Sequence, residues 1–204
     1  MRGSGTVAPF ILGCTALALY PRPVLLLGTL RNARRPDIDG EAVLALAEAL
    51  PDDPDQVREH VLTHLIPYAY DWDVYGVPYY FPTLAEALRQ CRGDCKSQAL
   101  VLASLLAAKA IPFRLLVSLD HIWVEYAGKQ PAPMEDPAVA VAEFRDGRWH
   151  ALRPSRLNAR SHAEVSAAAY WQAAPRSRKF AVAGALLALL LWSILRGAGS
   201  SRAS

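Results

Sequence analysis

Cys95 and His121 are the residues of this chain whose types and spacing suit nucleophilic chemistry. Cys95 follows Gly93-Asp94 and opens a long apolar run, and His121 stands 26 residues later at the head of a Trp- and Val-containing run. A thiol at a helix N-terminus sits among unpaired backbone N–H groups and at the positive end of the helix dipole, a setting that favours the nucleophilic thiolate. Asp94 can cap such a helix, Gly93 lets the chain approach closely, and Lys96 adds local positive charge. The thiol also needs a base, and an imidazole acting as one needs an orienting acceptor on its second nitrogen.

A metal site is the rival chemistry. His60 and His64 are one helical turn apart, Cys91 and Cys95 have the same i, i+4 spacing, and two His with two Cys can hold zinc. Against it, Gly93 breaks any helix joining the cysteines, and neither a C-x2-C knuckle nor an H-E-x-x-H motif is present.

These residues depend on elements that the pattern predicts. Asp39 or Gly40 starts a helix over Glu41–Leu50, and Asp53-Pro54 starts another through about Leu65. Tyr68–Phe81, with five tyrosines and too many Pro and Gly for a helix, reads as an ordered loop or short extended pair. Thr83 caps a helix over Leu84–Gln90, and Cys95–Ala110 is a helix apolar on nearly every side, hence central. From Phe113 the period changes to alternation. Phe113–Leu119 and His121–Tyr126 read as strands, the latter placing His121, Trp123 and Glu125 on one face, and Val139–Arg145 and Arg148–Leu152 flank an Asp146-Gly147 hairpin turn. This order predicts an α+β domain with the central helix packed on an antiparallel sheet.

Charge separates that domain from its flanks. Of 204 residues, 52% are hydrophobic and the net charge is +3, but residues 31–177 hold 16 Lys/Arg against all 19 acids, a balance of −3. The ends carry only cations. A basic face on the folded domain is therefore lacking, which excludes nucleic acid as the expected partner, and three unevenly spaced cysteines exclude a disulfide scaffold. Phe180–Leu195 is a 16-residue run without charge between Arg176, Arg178, Lys179 and Arg196, slightly shorter than the roughly 20 residues of a membrane helix but extended by snorkelling cations. Val7–Tyr20 is also apolar, is interrupted by Pro21-Arg22-Pro23, and resumes over Val24–Leu30, giving either a tilted span or a span followed by a surface-lying stretch. Ile11-Leu12-Gly13-Cys14 only faintly resembles a lipoprotein box, because the apolar stretch before it is short. More Lys and Arg flank the domain side than the outer side, which places the domain in the cytoplasm.

The run Gly93-Asp94-Cys95-Lys96-Ser97-Gln98-Ala99, the helix ending Lys109-Ala110-Ile111-Pro112-Phe113-Arg114, and His121-Ile122-Trp123-Val124-Glu125-Tyr126 together resemble the transglutaminase-like superfamily, and Phe81–Leu88 is similar to its lead-in. The likeness covers residues 80–127 well and 128–157 loosely. It implies a papain-like core with Cys95 as nucleophile, His121 as general base and acid, and the Cys95 N–H for the oxyanion. The family's third residue is an aspartate in W-x-x-L-D-P, whereas Trp149-His150-Ala151-Leu152-Arg153-Pro154 puts Arg153 there, and a cation cannot accept from imidazole. Asp136, 15 residues after His121, is the expected substitute, with Glu135 in reserve.

The expectation is thus an N-terminal membrane segment (1–30), a helical lead-in with the aromatic loop (31–79), a transglutaminase-like core (80–157), a juxtamembrane segment (158–177) and a C-terminal membrane helix (178–204). The expected activity is acyl transfer through a Cys95 thioester on a protein or peptide substrate, hydrolytic or cross-linking, with no metal or organic cofactor and the lipid bilayer as second partner. A catalytically inactive peptide-binding domain of the same fold is the alternative that Arg153 favours, and the zinc site of His60, His64, Cys91 and Cys95 is the third.

Overall fold

The computed structural model describes residues 9, 13, 15–17, 19–156 and 159–200; Cys14, with the reading of a lipoprotein box, lies outside them. After a break at Tyr20-Pro21-Arg22 the chain forms α1 (Pro23–Arg34), a 3-10 turn (Glu41–Val43) leading into α2 (Leu44–Glu48), then α3 (Pro54–His60), which continues as a π turn over Val61–Leu65. The tyrosine-rich stretch contains a short helix, α4 (Asp71–Val74), and is followed by α5 (Leu84–Gln90) and α6 (Cys95–Ala108). Strands β1 (Phe113–Val117), β2 (Ile122–Tyr126), β3 (Ala142–Arg145) and β4 (Arg148–Ala151) make one antiparallel sheet in the order β2-β1-β3-β4. The chain leaves through α7 (Ala159–Ser166), a second π turn (Ala167–Gln172) and α8 (Arg176–Ser200).

Local chemistry accounts for these boundaries. The Asp53 carboxylate accepts from the Asp55 and Gln56 N–H groups at the start of α3, and Thr83 with Glu86 forms a reciprocal capping box on α5. Asp146 (φ 54°) and Gly147 (φ 76°) both take left-handed backbone, the geometry a two-residue hairpin between β3 and β4 requires. Helix α6 is buried at every position from Lys96 to Leu106, which explains an apolar character with no polar face. It packs on β1 and β2 on one side and on α2, α3 and α5 on the other. Leu100, Leu105 and Leu106 meet Leu115, Val124 and Phe144 in the main core, each large side chain contributing about 1.5–3 kcal/mol by leaving water. The opposite face of the sheet buries a smaller group, Leu116, Trp123 and Ala140.

The fold is therefore α+β with a helix on an antiparallel sheet. Two expectations change. Val24–Leu30 is not a separate apolar segment ending at residue 30, but the first part of α1, which runs to Arg34 and packs on the domain. Asn32 Nδ2 donates to the Phe81 carbonyl (2.9 Å), and Thr29 Oγ1 accepts from the Phe81 N–H (3.3 Å). Val139 belongs to a 3-10 turn, Pro137–Val139, and β3 begins at Ala142. At the other end, Arg176–Ile194 is 19 residues with a mean hydropathy of 1.5, none of it buried against the rest of the protein, and is long and apolar enough to cross a membrane.

Candidate active site

Cys95 occupies the first position of α6, directly after the cap. The Asp94 carboxylate accepts from the Lys96 N–H (3.0 Å), which leaves the Cys95 N–H among those that no helical carbonyl reaches. Gly93 is fixed here by space: a Cβ would lie 2.4 Å from Ser97 Oγ and 2.5 Å from Ser97 Cβ, inside the first turn of the helix. The same glycine is tied to the tyrosine-rich loop, donating to the Pro67 carbonyl (3.1 Å) and accepting from the Ala69 N–H (3.0 Å). Tyr68 is held beside the thiol by this bridge.

Lys96 is the anchor of that loop. Its ammonium is buried between Asp94 and Asp71, 3.0 Å from Asp71 Oδ2, and lies 4.2 Å from the centre of the Tyr79 ring. Asp71 also accepts from the Tyr80 N–H (2.7 Å). Burial opposes the charge on Lys96, but the two carboxylates outweigh it and hold the ammonium protonated well above its ordinary range. Burial, reinforced by the Asp94 charge, pushes the Asp71 carboxyl upward.

His121 lies one residue before β2, the edge strand, and stacks on Trp123 with ring centres 5.9 Å apart. The turn that presents it is fastened by Ser118: Ser118 Oγ accepts from the His121 N–H (3.1 Å), and the Ser118 N–H donates to the His121 carbonyl (2.9 Å). The imidazole borders the same cleft as Cys95 and interacts with both the thiol and the Glu135 carboxylate, with Nε2 3.6 Å from Glu135 Oε1. That distance makes an ion-pair contact rather than a hydrogen bond. Burial disfavours the imidazolium, yet the interactions with Cys95 and Glu135 prevail and raise its pKa to about 9. Glu135 is itself held by Arg58 (3.1 Å) and Lys129 (2.7 Å) on Oε2. Burial would raise its carboxyl, but His121, Lys129 and Arg58 overcome this and lower it to about 2.

The structure thus brings Cys95, His121 and Glu135 together and leaves Asp136 out. The Asp136 carboxylate accepts from the Ala138 N–H (2.8 Å) as the cap of the Pro137–Val139 turn and pairs with Arg156, so it is engaged elsewhere. Arg153 is exposed and follows β4, at the edge of the sheet opposite β2. Arg58, Lys129, Asp71 and Ser118 were not singled out by sequence reasoning. The partners of Arg58 and Asp71 lie 77 and 25 positions away in the chain, and Lys129 and Ser118, though near theirs in sequence, sit in a loop and a turn that no local pattern marks. Glu135 had a readable signal: Asp136 precedes a proline as Asp53 does, which commits it to a cap and leaves its neighbour.

Cys95 and His121 border an open cleft of ≈ 310 Å³, walled by Tyr68, Tyr70, Tyr79, Trp149 and Tyr170 with Lys96 and Asp71 at its base. Glu135 borders a separate small cavity of ≈ 40 Å³ that shares Cys95 and His121 with the cleft. No family model, curated protein or solved structure matches the chain. The zinc arrangement is not assembled. Among the described residues no three His, Cys, Asp or Glu side chains gather as a metal site, His60 and His64 stack on each other at 4.9 Å, and Cys91 and Cys95 are both free thiols.

Proposed function

We propose that this chain is a membrane-anchored cysteine enzyme of transglutaminase-like type that breaks an amide bond by acyl transfer through a Cys95 thioester. The observation that carries the reading is the His121 imidazole in contact with both a thiol at a helix N-terminus and a half-buried carboxylate, on the wall of an open cleft. In this mechanism the Cys95 sulfur attacks the carbonyl of a protein or peptide substrate, and His121, carrying the thiol proton, delivers it to the departing amine. The Cys95 N–H lies where it can stabilise the oxyanion. Water, deprotonated by His121, then attacks the thioester, releasing the acid and returning the proton to the thiolate; an amine in place of water gives cross-linking. Glu135 takes the orienting role, and its negative charge steadies the imidazolium at each step. The anchor in this reading is α8, and the cations Arg176, Arg178 and Lys179 at its domain-side flank support a cytoplasmic domain.

A peptide-binding domain without turnover is the second reading. It is favoured by the shorter contacts of Glu135 to Arg58 and Lys129 than to His121. Alkylation by iodoacetamide, followed residue by residue by mass spectrometry across pH, separates the two. The enzyme reading expects Cys95 to react at lower pH than the exposed Cys91, and that advantage to vanish in His121→Ala. A Cys95 that shares the profile of Cys91, or stays unlabelled in the folded protein, overturns it.

A further inference from the structure

Helix α1 turns two polar side chains toward the domain and leaves an apolar stripe exposed. Positions 25, 28, 29, 32 and 33 recur at helical spacing and form its buried or half-buried side. Gly28 packs on the Tyr80 ring, Thr29 and Asn32 bond to the Phe81 backbone, and the Ala33 carbonyl accepts from the Trp149 indole (2.9 Å). The two uncharged polar side chains, Thr29 and Asn32, thus face the domain. The other side presents Val24, Leu27 and Leu30, which are 68%, 66% and 62% exposed, with Leu26 between them. Arg22, Arg31, Arg34 and Arg35 are exposed around this stripe, and no acidic residue precedes Asp37.

Twelve residues make a helix about 18 Å long, too short for a hydrocarbon core of roughly 30 Å. A leucine stripe flanked by arginines on so short a helix suits the boundary between headgroups and acyl chains. Continuity with α8 points to the same occupant. The π turn that leads into α8 exposes Tyr170 and Trp171, residue types favoured at membrane interfaces. Tyr170 and Ala33 of α1 border one and the same cleft.

We propose that α1 lies flat in the interface of an anionic lipid bilayer, its leucine stripe inserted and its arginines on the headgroups. The helix and the base of α8 then fix the domain against the membrane at two places beside the cleft. Resting on the cysteine-enzyme reading, the consequence is that the acyl donor is a polypeptide segment held at the membrane surface.

The test uses the full chain with C14S, C91S and C95S, carrying a bimane label at L27C, in vesicles of phosphatidylcholine and phosphatidylglycerol. Parallel samples carry the label at E41C on the domain or at L187C within α8. The proposal expects the label at Leu27→Cys to lose fluorescence to nitroxides placed near the lipid headgroups, more than to nitroxides deep in the chains, and to resist aqueous iodide. Glu41→Cys gives the opposite pattern. Iodide quenching of Leu27→Cys like that of Glu41→Cys overturns the proposal. So does deep quenching like that of Leu187→Cys, which means α1 crosses the membrane, and so does a lipid-independent cross-link between Leu27→Cys labels of two copies. Because this protein has serine at position 95 and no reaction is read, the outcome is independent of whether the thiol chemistry holds.

Discussion

At the scale of single residues, the site turns on which of two adjacent acids serves His121. Glu135 is poised against the imidazole and clamped by Arg58 and Lys129, whereas Asp136 caps a turn. Glu135→Gln is expected to slow Cys95 alkylation at mildly acid pH by roughly tenfold, the equivalent of one unit of lost proton affinity at His121. Asp136→Ala is expected to leave it within about twofold, as a substitution at an exposed cap. The reverse ranking would reassign the third residue. His121 also links stability to pH. Its folded pKa of about 9 lies above the ordinary 6.5, so the folded state holds the proton more tightly than the unfolded chain. The stabilisation is complete below pH 6.5 and is lost as pH rises through 9. Thermal melting in detergent should therefore show a fall in Tm across that window, and His121→Gln should flatten it.

At the scale of elements, Gly93 joins the nucleophile's helix to the wall of the cleft. Gly93→Ala places a methyl group 2.5 Å from Ser97 Cβ. The relief must come from shifting either α6 or the Tyr68 bridge, at an expected cost of about 1–3 kcal/mol. Melting measures the cost, and slower Cys95 alkylation at unchanged pH measures the displacement. This element level was also the most legible in the sequence. The Thr83 capping box, the Asp53-Pro54 start, the Asp146-Gly147 turn and the apolar run of α6 each declare themselves within a few residues, so their boundaries fall within a residue or two of expectation. Cys95 and His121 were legible for the same reason, since their surroundings are short patterns. What could not be read is long-range. Arg58 meets Glu135 across 77 positions, and nothing near Lys96 announces that Asp71 will close over it. The leucines of α1 gave an apolar signal, but the burial of Thr29 and Asn32 depends on the Phe81 backbone, which no local pattern reveals.

At the scale of the molecule, a domain rich in acids carries an exposed apolar helix at one end. Its attachment should rest on the 19 residues of α8 that meet the length and hydropathy of a span. Leu187→Lys with Leu190→Lys puts two charges near the middle, each costing about 2.5–3.5 kcal/mol on the insertion scale. The double variant is expected to lose resistance to alkaline carbonate extraction, and retained resistance would move the anchor elsewhere in the chain. The enclosed Lys96 bears on a different property. Its charge is matched inside the protein by Asp71 and Asp94 and covered by Tyr79, whereas the arginines around α1 stand in solvent. Mobile ions screen exposed charges within about 10 Å at 0.1 M but act far less on buried ones. Raising ionic strength should therefore weaken the hold of α1 on acidic lipids while leaving the floor of the cleft unaffected, so that one salt titration separates how the protein finds its surface from how it grips what it finds there.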